Sequence, residues 1–415
     1  VNNVNSPLSV YKNKTNEKLK NHYMTVHLKG MDRNLNGIGA RVTVYQKGGF
    51  KVLQQMPNRG FQSSSDHQMV FGLGANGAID SVQVLWPNDK METIKSVKSD
   101  QVITLKQENA TEIFHFFEVK QTPIFADVTV GMLDYLHVES RFNDYDRDVL
   151  LKQKYSTQGP ALAVGDVNGD GLEDIYLGGA AGQIKHLFIQ KAGGKFIDSP
   201  QADFSLDQTT ENTDAIFFDA DKDGDLDLFV VTGSNEFVEN APELHDLLYL
   251  NDGKGNFKDE TSKYFGDSFH PGMIQKGAWI DLDGDQQKEL VLVGEWTAVQ
   301  VYKQNQHGTF EQIIIDEKAG LFNTVSSFEN QGEEIILLGN LGENSKLKAS
   351  VEKPLWLYHH DFDSNEQEDP LIFHYMGEQL VPFASRDDLI KQIPSVKKKH
   401  ASYIEYAQIK KPEDL

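Results

Sequence analysis

A nine-residue acidic loop recurs four times in this 415-residue chain: DVNGDGLED at Asp166, DADKDGDLD at Asp219, DLDGDQQKE at Asp281 and DFDSNEQED at Asp361. Each copy follows an apolar segment (ALAVG, AIFF, GAWI, LWLYHH) and leads into another (IYLGG, LFVVTG, LVLVG, PLIF). After three of the copies comes a further strand and a Gly-containing hairpin that ends in Phe, as in HLFIQKAGGKF, LLYLNDGKGNF and VQVYKQNQHGTF. A fifth unit, SSFENQGEEIILLGN, keeps the strand and lacks the acidic loop. Loops one to four are spaced 53, 62 and 80 residues apart. About four short strands per unit at this period predict propeller blades, whereas the repeats of a linear β-solenoid are shorter and more even.

The loops pose an electrostatic problem. Two carboxylates about 4 Å apart repel by roughly 1 kcal/mol in water and about 4 kcal/mol near a protein surface. A divalent cation turns that repulsion into attraction, and hard oxygen donors on a short turn suit calcium. Positions 1, 3, 5 and 9 supply Asp166, Asn168, Asp170 and Asp174 in the first loop, and Asp219, Asp221, Asp223 and Asp227 in the second. The third loop supplies Asp281, Asp283, Asp285 and Glu289, and the fourth Asp361, Asp363, Asn365 and Asp369. Position 7 varies (Leu172, Asp225, Gln287, Gln367), so a backbone carbonyl is expected there. An EF-hand would need Glu at position 12 and a following helix. Here that position holds Leu177, Val230, Leu292 and Ile372, each in an apolar run that reads as a strand. Gly171 and Gly224 stand at position 6, where a tight turn favours positive φ; Gln286 and Glu366 stand there in loops three and four, which makes those two the weaker candidates. The plain alternative, a solvated Asp/Asn/Gly turn, accounts for one loop more easily than for four with the same flanks.

Ahead of the repeats, YMTVHLK at Tyr23, ARVTVYQK at Ala40, FKVLQQM at Phe50, IDSVQVLWP at Ile79 and QVITLKQ at Gln101 have the period of two of strands. The expected organisation is residues 1–21 as exit strands of a preceding blade, a β-domain over 22–108, a linker over 109–124 and a propeller over 125–415. Within the propeller, residues 384–408 read as two short helices interrupted by Pro394. The chain carries 62 acidic and 40 basic residues, a formal charge of −22, which disfavours nucleic acid and anionic lipid as partners. Cysteine is absent, which excludes disulfides and thiolate metal sites. No run of about 18 apolar residues offers a spanning helix, and the first residues lack the basic and apolar regions of a signal peptide. An export signal is therefore expected outside this segment.

The repeated D-x-[DN]-x-[DN]-x-x-x-[DE] loops over 125–369 resemble the FG-GAP/VCBS repeat family, whose calcium-loop blades also build integrin α-subunit propellers. GIGARVTV at Gly37, NRGFQSSSD at Asn58, FGLG at Phe71 and IDSVQVLWP resemble an ASPIC/UnbV domain. FADVTVGMLDYLHVES, GNLGENSKLKAS and SRDDLIKQIP resemble the bacterial cell-envelope proteins that carry both modules. The resemblance implies an all-β protein, a β-propeller expected to have seven blades, incomplete in this chain, preceded by the small β-domain. It also implies an exported, outer-membrane-associated location beside nutrient-uptake systems.

Catalytic signatures are weak. FGLGANG has no surrounding βαβ unit, the thirteen His lack metal-ligand spacing, GxSxG is missing and Ser63-Ser64-Ser65 lies in a polar loop. Lys397-Lys398-Lys399-His400 reads as a solvated helix face. The expected function is a non-enzymatic surface protein holding about four calcium ions and binding a protein or glycan partner, such as an outer-membrane β-barrel complex. The alternative is a polysaccharide-acting enzyme with a carboxylate site in the propeller channel.

Overall fold

The computed structural model describes residues 7–60, 63–115, 123–341, 345–362, 364 and 368–415. Strands hold 38% of the residues and helices 11%, so the protein is all-β. The chain divides into two compact units, one ending at Ile124 and the other running from Phe125 to Leu415.

In the first unit, β1 (His22–Lys29), β2 (Arg41–Gln46), β3 (Gly49–Gln54), β4 (Met69–Gly74), β5 (Ser81–Leu85), β6 (Lys90–Lys95), β7 (Gln101–Lys106) and β8 (Glu112–Ile113) form two sheets. Their strand orders are β4-β1-β7 and β3-β2-β5-β6-β8. Inward residues of both sheets, among them Met24, Val26, Val42, Val44, Phe71, Val82, Val84 and Trp86, make one core. Each such side chain, once fully buried, contributes about 1.5–3 kcal/mol. Gly37 has φ +63, and a Cβ there would meet Trp86 at 2.9 Å and Leu28 at 3.0 Å, so the turn before β2 requires glycine. The segment 1–21 differs from expectation. It has no strand among its described residues and instead forms a short helix, Thr15–Leu19. Asn13 accepts from the Thr15 N–H at 2.9 Å, and Glu17, Lys18 and Leu19 favour helix over an unpaired strand.

The second unit contains β9 (Leu162–Gly165), β10 (Asp174–Leu177), β11 (His186–Lys191) and β12 (Lys195–Asp198) as one antiparallel sheet. A second sheet comprises β13 (Asn212–Phe218), β14 (Asp227–Thr232), β15 (Leu247–Asn251) and β16 (Phe257–Asp259). The third has β17 (Ile274–Ile280), β18 (Glu289–Thr297), β19 (Gln300–Gln304) and β20 (Phe310–Ile314). The hairpin β21 (Gly320–Asn330) and β22 (Glu333–Asn340) joins it where the far end of β18 pairs with β21, Glu295 opposite Leu321. The last sheet is β23 (Trp356–His360), β24 (Asp369–Met376) and β25 (Gln379–Pro382).

The first strands β9, β13, β17 and β21 lie side by side in succession, and the cores lie between consecutive sheets. Leu228 and Val230 of β14 pack with Tyr176 and Leu187 of the preceding sheet, while Phe229 and Val231 pack with Leu290 and Leu292 of the following one. Alternate residues of a strand face opposite sides, so a middle strand covered on both faces reads as a continuous apolar run. This repeated face-to-face stacking is the propeller-like arrangement.

Three helices follow β25 where two were expected: Arg386–Gln392, Val396–Lys399 and Tyr403–Tyr406. The Ser385 hydroxyl accepts from the Asp388 N–H at 3.1 Å and starts the first. Ile393, ahead of Pro394, leaves the helical region and ends it. Ser402 and Glu405 form a reciprocal cap that begins the third, which the apolar spacing alone does not reveal. Leu389, Ile393, Val396 and Tyr406 pack on Leu371 and Phe373, together with Leu150 from the segment ahead of the first repeat sheet.

Candidate metal centres

The four acidic loops join the first and second strands of their sheets. In each fully described loop the first Asp closes the turn on itself. Asp166 accepts from the N–H of Gly169 (2.9 Å) and Gly171 (2.8 Å), Asp219 from Lys222 (2.7 Å) and Gly224 (3.2 Å), and Asp281 from Gly284 (2.8 Å) and Gln286 (3.0 Å). Positions 4 and 6 both adopt positive φ: 72° and 84° in the first loop, 68° and 98° in the second, 75° and 68° in the third. The sequence pointed to position 6 alone. Gln286 takes the left-handed conformation without being glycine, so the third loop keeps the shape of the others despite its sequence.

Position 9 is the buried end of each loop. Asp174, Asp227 and Asp369 expose no surface and Glu289 exposes 1%. One oxygen of each accepts from the N–H of position 2: Val167 at 3.2 Å, Ala220 at 2.7 Å, Leu282 at 2.9 Å and Phe362 at 3.0 Å. The other oxygen reaches across the sheet, to the Gln190 N–H from Asp174 and to the Asn251 N–H from Asp227, both at 2.8 Å. In the fourth loop the cross-sheet donor is Nε2 of Gln392, at 2.6 Å from Asp369, so a helix replaces the missing third-strand donor. Asp363, Asn365 and Gln367 of that loop lie outside the described residues.

Fit to a hard cation differs between loops. Carboxylate oxygens of Asp219, Asp221 and Asp227 lie within 4.8 Å of one another. Burial, and then the neighbouring Asp223, push the Asp221 carboxyl above its usual range. The same causes push Asp225 up to about 6, and burial pushes Asp227 up to about 7. Asp225 Oδ1 is buried without a hydrogen-bond partner among the described residues. Position 7 was expected to offer only its carbonyl; here the Asp225 side chain itself joins the cluster. The one lysine in this loop, Lys222, turns away to Gln287 Oε1 at 2.8 Å. Crowded carboxylates with a buried unpartnered oxygen fit a divalent ion, and Asp219, Asp221, Asp223, Asp225 and Asp227 are the residues that would hold it.

The first loop has fewer charges. Asn168 donates through Nδ2 to Asp174 at 3.0 Å, and Asp170 accepts from the Leu172 N–H at 2.9 Å. Asp166, Asn168, Asp170 and Asp174, with the carbonyl of Leu172, are the residues that would hold a cation there. The third loop brings Asp281, Asp283 and Asp285 within 4.8 Å of one another but also brings a cation. Lys303 Nζ lies 2.7 Å from Asp283, 2.9 Å from Asp285 and 2.8 Å from Glu289. Its hydrogen bond holds the Asp285 carboxyl below the usual range. Gln287, the position-7 residue here, bonds Lys222 instead of facing the cluster. Sequence reasoning about the loops alone missed Lys303, because it comes from β19. Aligning the three hairpins on their terminal Phe would have found it, as Ile189 and Leu250 occupy the same place.

Sequence reasoning also missed two links between repeats. Asn251 Nδ2 donates to the carbonyl of Val167 at 2.7 Å, and Gln304 Nε2 to that of Ala220 at 2.8 Å. Each side chain, from the third strand of one sheet, grips position 2 of the loop in the sheet before it.

Residues 30–112 match the family described as ASPIC and UnbV, and residues 156–230 match the FG-GAP-like repeat. The chain is an FG-GAP repeat protein with an ASPIC/UnbV domain. The first two acidic loops lie inside the matched repeat region, and the others extend the same pattern beyond it. No curated protein matches the sequence. Among solved structures, an Agrocybe aegerita lectin, described as recognising non-reducing terminal N-acetylglucosamine, is similar at 14% identity over 85% of this chain and 74% of that one, with a TM-score of 0.30. A likeness of that size carries no weight for function.

Proposed function

We propose that this FG-GAP protein is a non-enzymatic binding scaffold whose repeats are stapled by calcium and which presents its loops to a protein or glycan partner outside the cytoplasm. The observation that carries the reading is the second loop, where carboxylate oxygens of Asp219, Asp221 and Asp227 lie within 4.8 Å of one another and Asp225 Oδ1 is buried without a hydrogen-bond partner among the described residues. Calcium supplies the compensating charge when bound. Extracellular calcium modules bind with dissociation constants of about 10⁻⁴ to 10⁻³ M, and a tenfold excess of ion then stabilises by roughly 1.4 kcal/mol per site. Such sites work where calcium is abundant, which supports a surface location beside an outer-membrane complex. The carboxylates of the loops are engaged by turns and backbone N–H groups, which favours a binding role over an acid/base pair.

Asp221→Asn tests the metal. It is expected to lower the melting temperature by about 2–4 °C in calcium and to raise it slightly in excess chelator, where one repelling carboxylate is gone; equal losses in both would remove calcium from the reading. Pull-down from native envelopes with the full chain is expected to recover a β-barrel partner in calcium and to lose it in chelator. Release of reducing ends from polysaccharides at catalytic rates would replace binding by catalysis.

A further inference from the structure

We infer that the third acidic loop is closed by the protein's own Lys303 and takes no calcium, so that repeat three is stapled internally while the second repeat depends on the ion. The inference rests on the calcium reading of the other loops and turns on what lies opposite position 9. The antiparallel register pairs Ile175 with Phe188, Leu228 with Tyr249 and Leu290 with Tyr302. One step along, Asp174 faces Ile189, Asp227 faces Leu250 and Glu289 faces Lys303. In the first two sheets this place is apolar, Ile189 and Leu250 packing into the cores between sheets. In the third it delivers an ammonium group to positions 3, 5 and 9 of the loop.

The geometry suits an ammonium. It has three N–H donors; Asp283 and Asp285 accept at 2.7 and 2.9 Å, and Glu289 Oε1, buried without a hydrogen-bond partner among the described residues, lies 2.8 Å away as an ion pair. Calcium–oxygen distances are about 2.3–2.6 Å, so the two cations compete for one hole. Tethering favours the lysine. It is part of the fold and needs no ion from solution, and Gln304 beside it is anchored to the Ala220 carbonyl at 2.8 Å. In the second loop the only lysine, Lys222, is drawn away to Gln287, and no ion pair to Asp219, Asp221, Asp223, Asp225 or Asp227 is found among the described residues.

Two measurements on the full chain test this: calcium stoichiometry by equilibrium dialysis, and melting temperature with calcium or with excess chelator. Asp283→Asn is expected to leave the stoichiometry unchanged and to lower the melting temperature by about 2 °C to the same extent in both conditions. Lys303→Met, which restores the apolar residue type of the other repeats, is expected to raise the stoichiometry by one. Loss of one ion in Asp283→Asn, or a melting shift confined to calcium, would overturn the assignment. So would an unchanged stoichiometry in folded Lys303→Met. The two readings fail separately: a wild-type chain that binds no calcium sinks the scaffold reading, while the equal shift of Asp283→Asn in chelator still decides whether Lys303 is the staple.

Discussion

Asp246 exposes no surface, accepts from the Thr232 N–H at 2.8 Å, and has a second oxygen without a hydrogen-bond partner among the described residues. Burial pushes its carboxyl up to about 8, against about 3.9 in an unfolded chain. The sign follows from proton counting. Between those values the folded state holds the proton and the unfolded state does not, so stability is greatest at the acid end and falls as pH rises towards 8, by up to about 1.4 kcal/mol per pH unit. Asp246→Asn removes that proton. Urea unfolding in chelator at pH 5, 6, 7 and 8 is expected to show the variant gaining on the wild type at each step, and parallel profiles would contradict the buried neutral acid. Residues of this kind were invisible in the sequence, because nothing local marks Asp246 in HDLLYL as buried. The loop aspartates were legible for the opposite reason: their alternate spacing, repeated four times, is itself the signal. Lys303 fell between the two cases. Its neighbours in sequence are strand residues, and its carboxylate partners only become neighbours once β18 and β19 pair.

At the scale of elements, the acidic loops were read correctly as strand-to-strand turns, while the conformation that makes them turns was only half seen. Position 4 takes positive φ as regularly as position 6 does, and it is Gly169, Lys222 and Gly284 in turn, so no residue type announces it. Gln286 at φ +68 carries the strain of a left-handed non-glycine, about 1–2 kcal/mol. Its N–H donates to Asp281 whatever its side chain. Gln286→Gly therefore removes strain without removing a bond, and after the extra freedom that glycine gives the unfolded chain a net gain of about 0.5 kcal/mol is expected. Differential scanning calorimetry in chelator reads it, and a lower melting temperature would show the position to be relaxed as it stands. The fourth sheet shows why element counts resisted sequence reasoning. Its three strands are completed by the helix Arg386–Gln392, and the Gln392 side chain does for Asp369 what a third-strand N–H does for Asp174 and Asp227. A hydrogen bond needs a donor in place, and an element of either kind can bring one.

Across the whole repeat unit, what the sequence concealed is how sheets far apart in the chain are tied together. The segment ahead of the first repeat sheet supplies the ties. Its Val149 N–H donates to Gln392 Oε1 at 3.0 Å, and its Lys152 Nζ lies 2.7 Å from Glu295 at the far end of β18. Tyr155 donates to the other Glu295 oxygen at 2.7 Å, and Asn323 of β21 donates at 3.2 Å to the oxygen that Lys152 contacts. The Lys152 and Glu295 side chains are 8% and 1% exposed, so this is a buried ion pair. Removing one partner of such a pair strands the other charge away from water and typically costs about 3–5 kcal/mol. Lys152→Ala is therefore expected to destabilise by about 3 kcal/mol, read as a lower urea midpoint with an unchanged slope. Lys391→Ala, which breaks the exposed pair with Asp388, is expected to change nothing measurable. The comparison separates two accounts of the unit. If stability resided only in the cores between neighbouring sheets, both variants would behave alike. A loss specific to Lys152 makes the segment around residues 144–156 the strap that holds the third sheet and the helix Arg386–Gln392 to the start of the repeats, and it should appear in calcium and chelator alike, since the Lys152–Glu295 pair includes no acidic-loop residue.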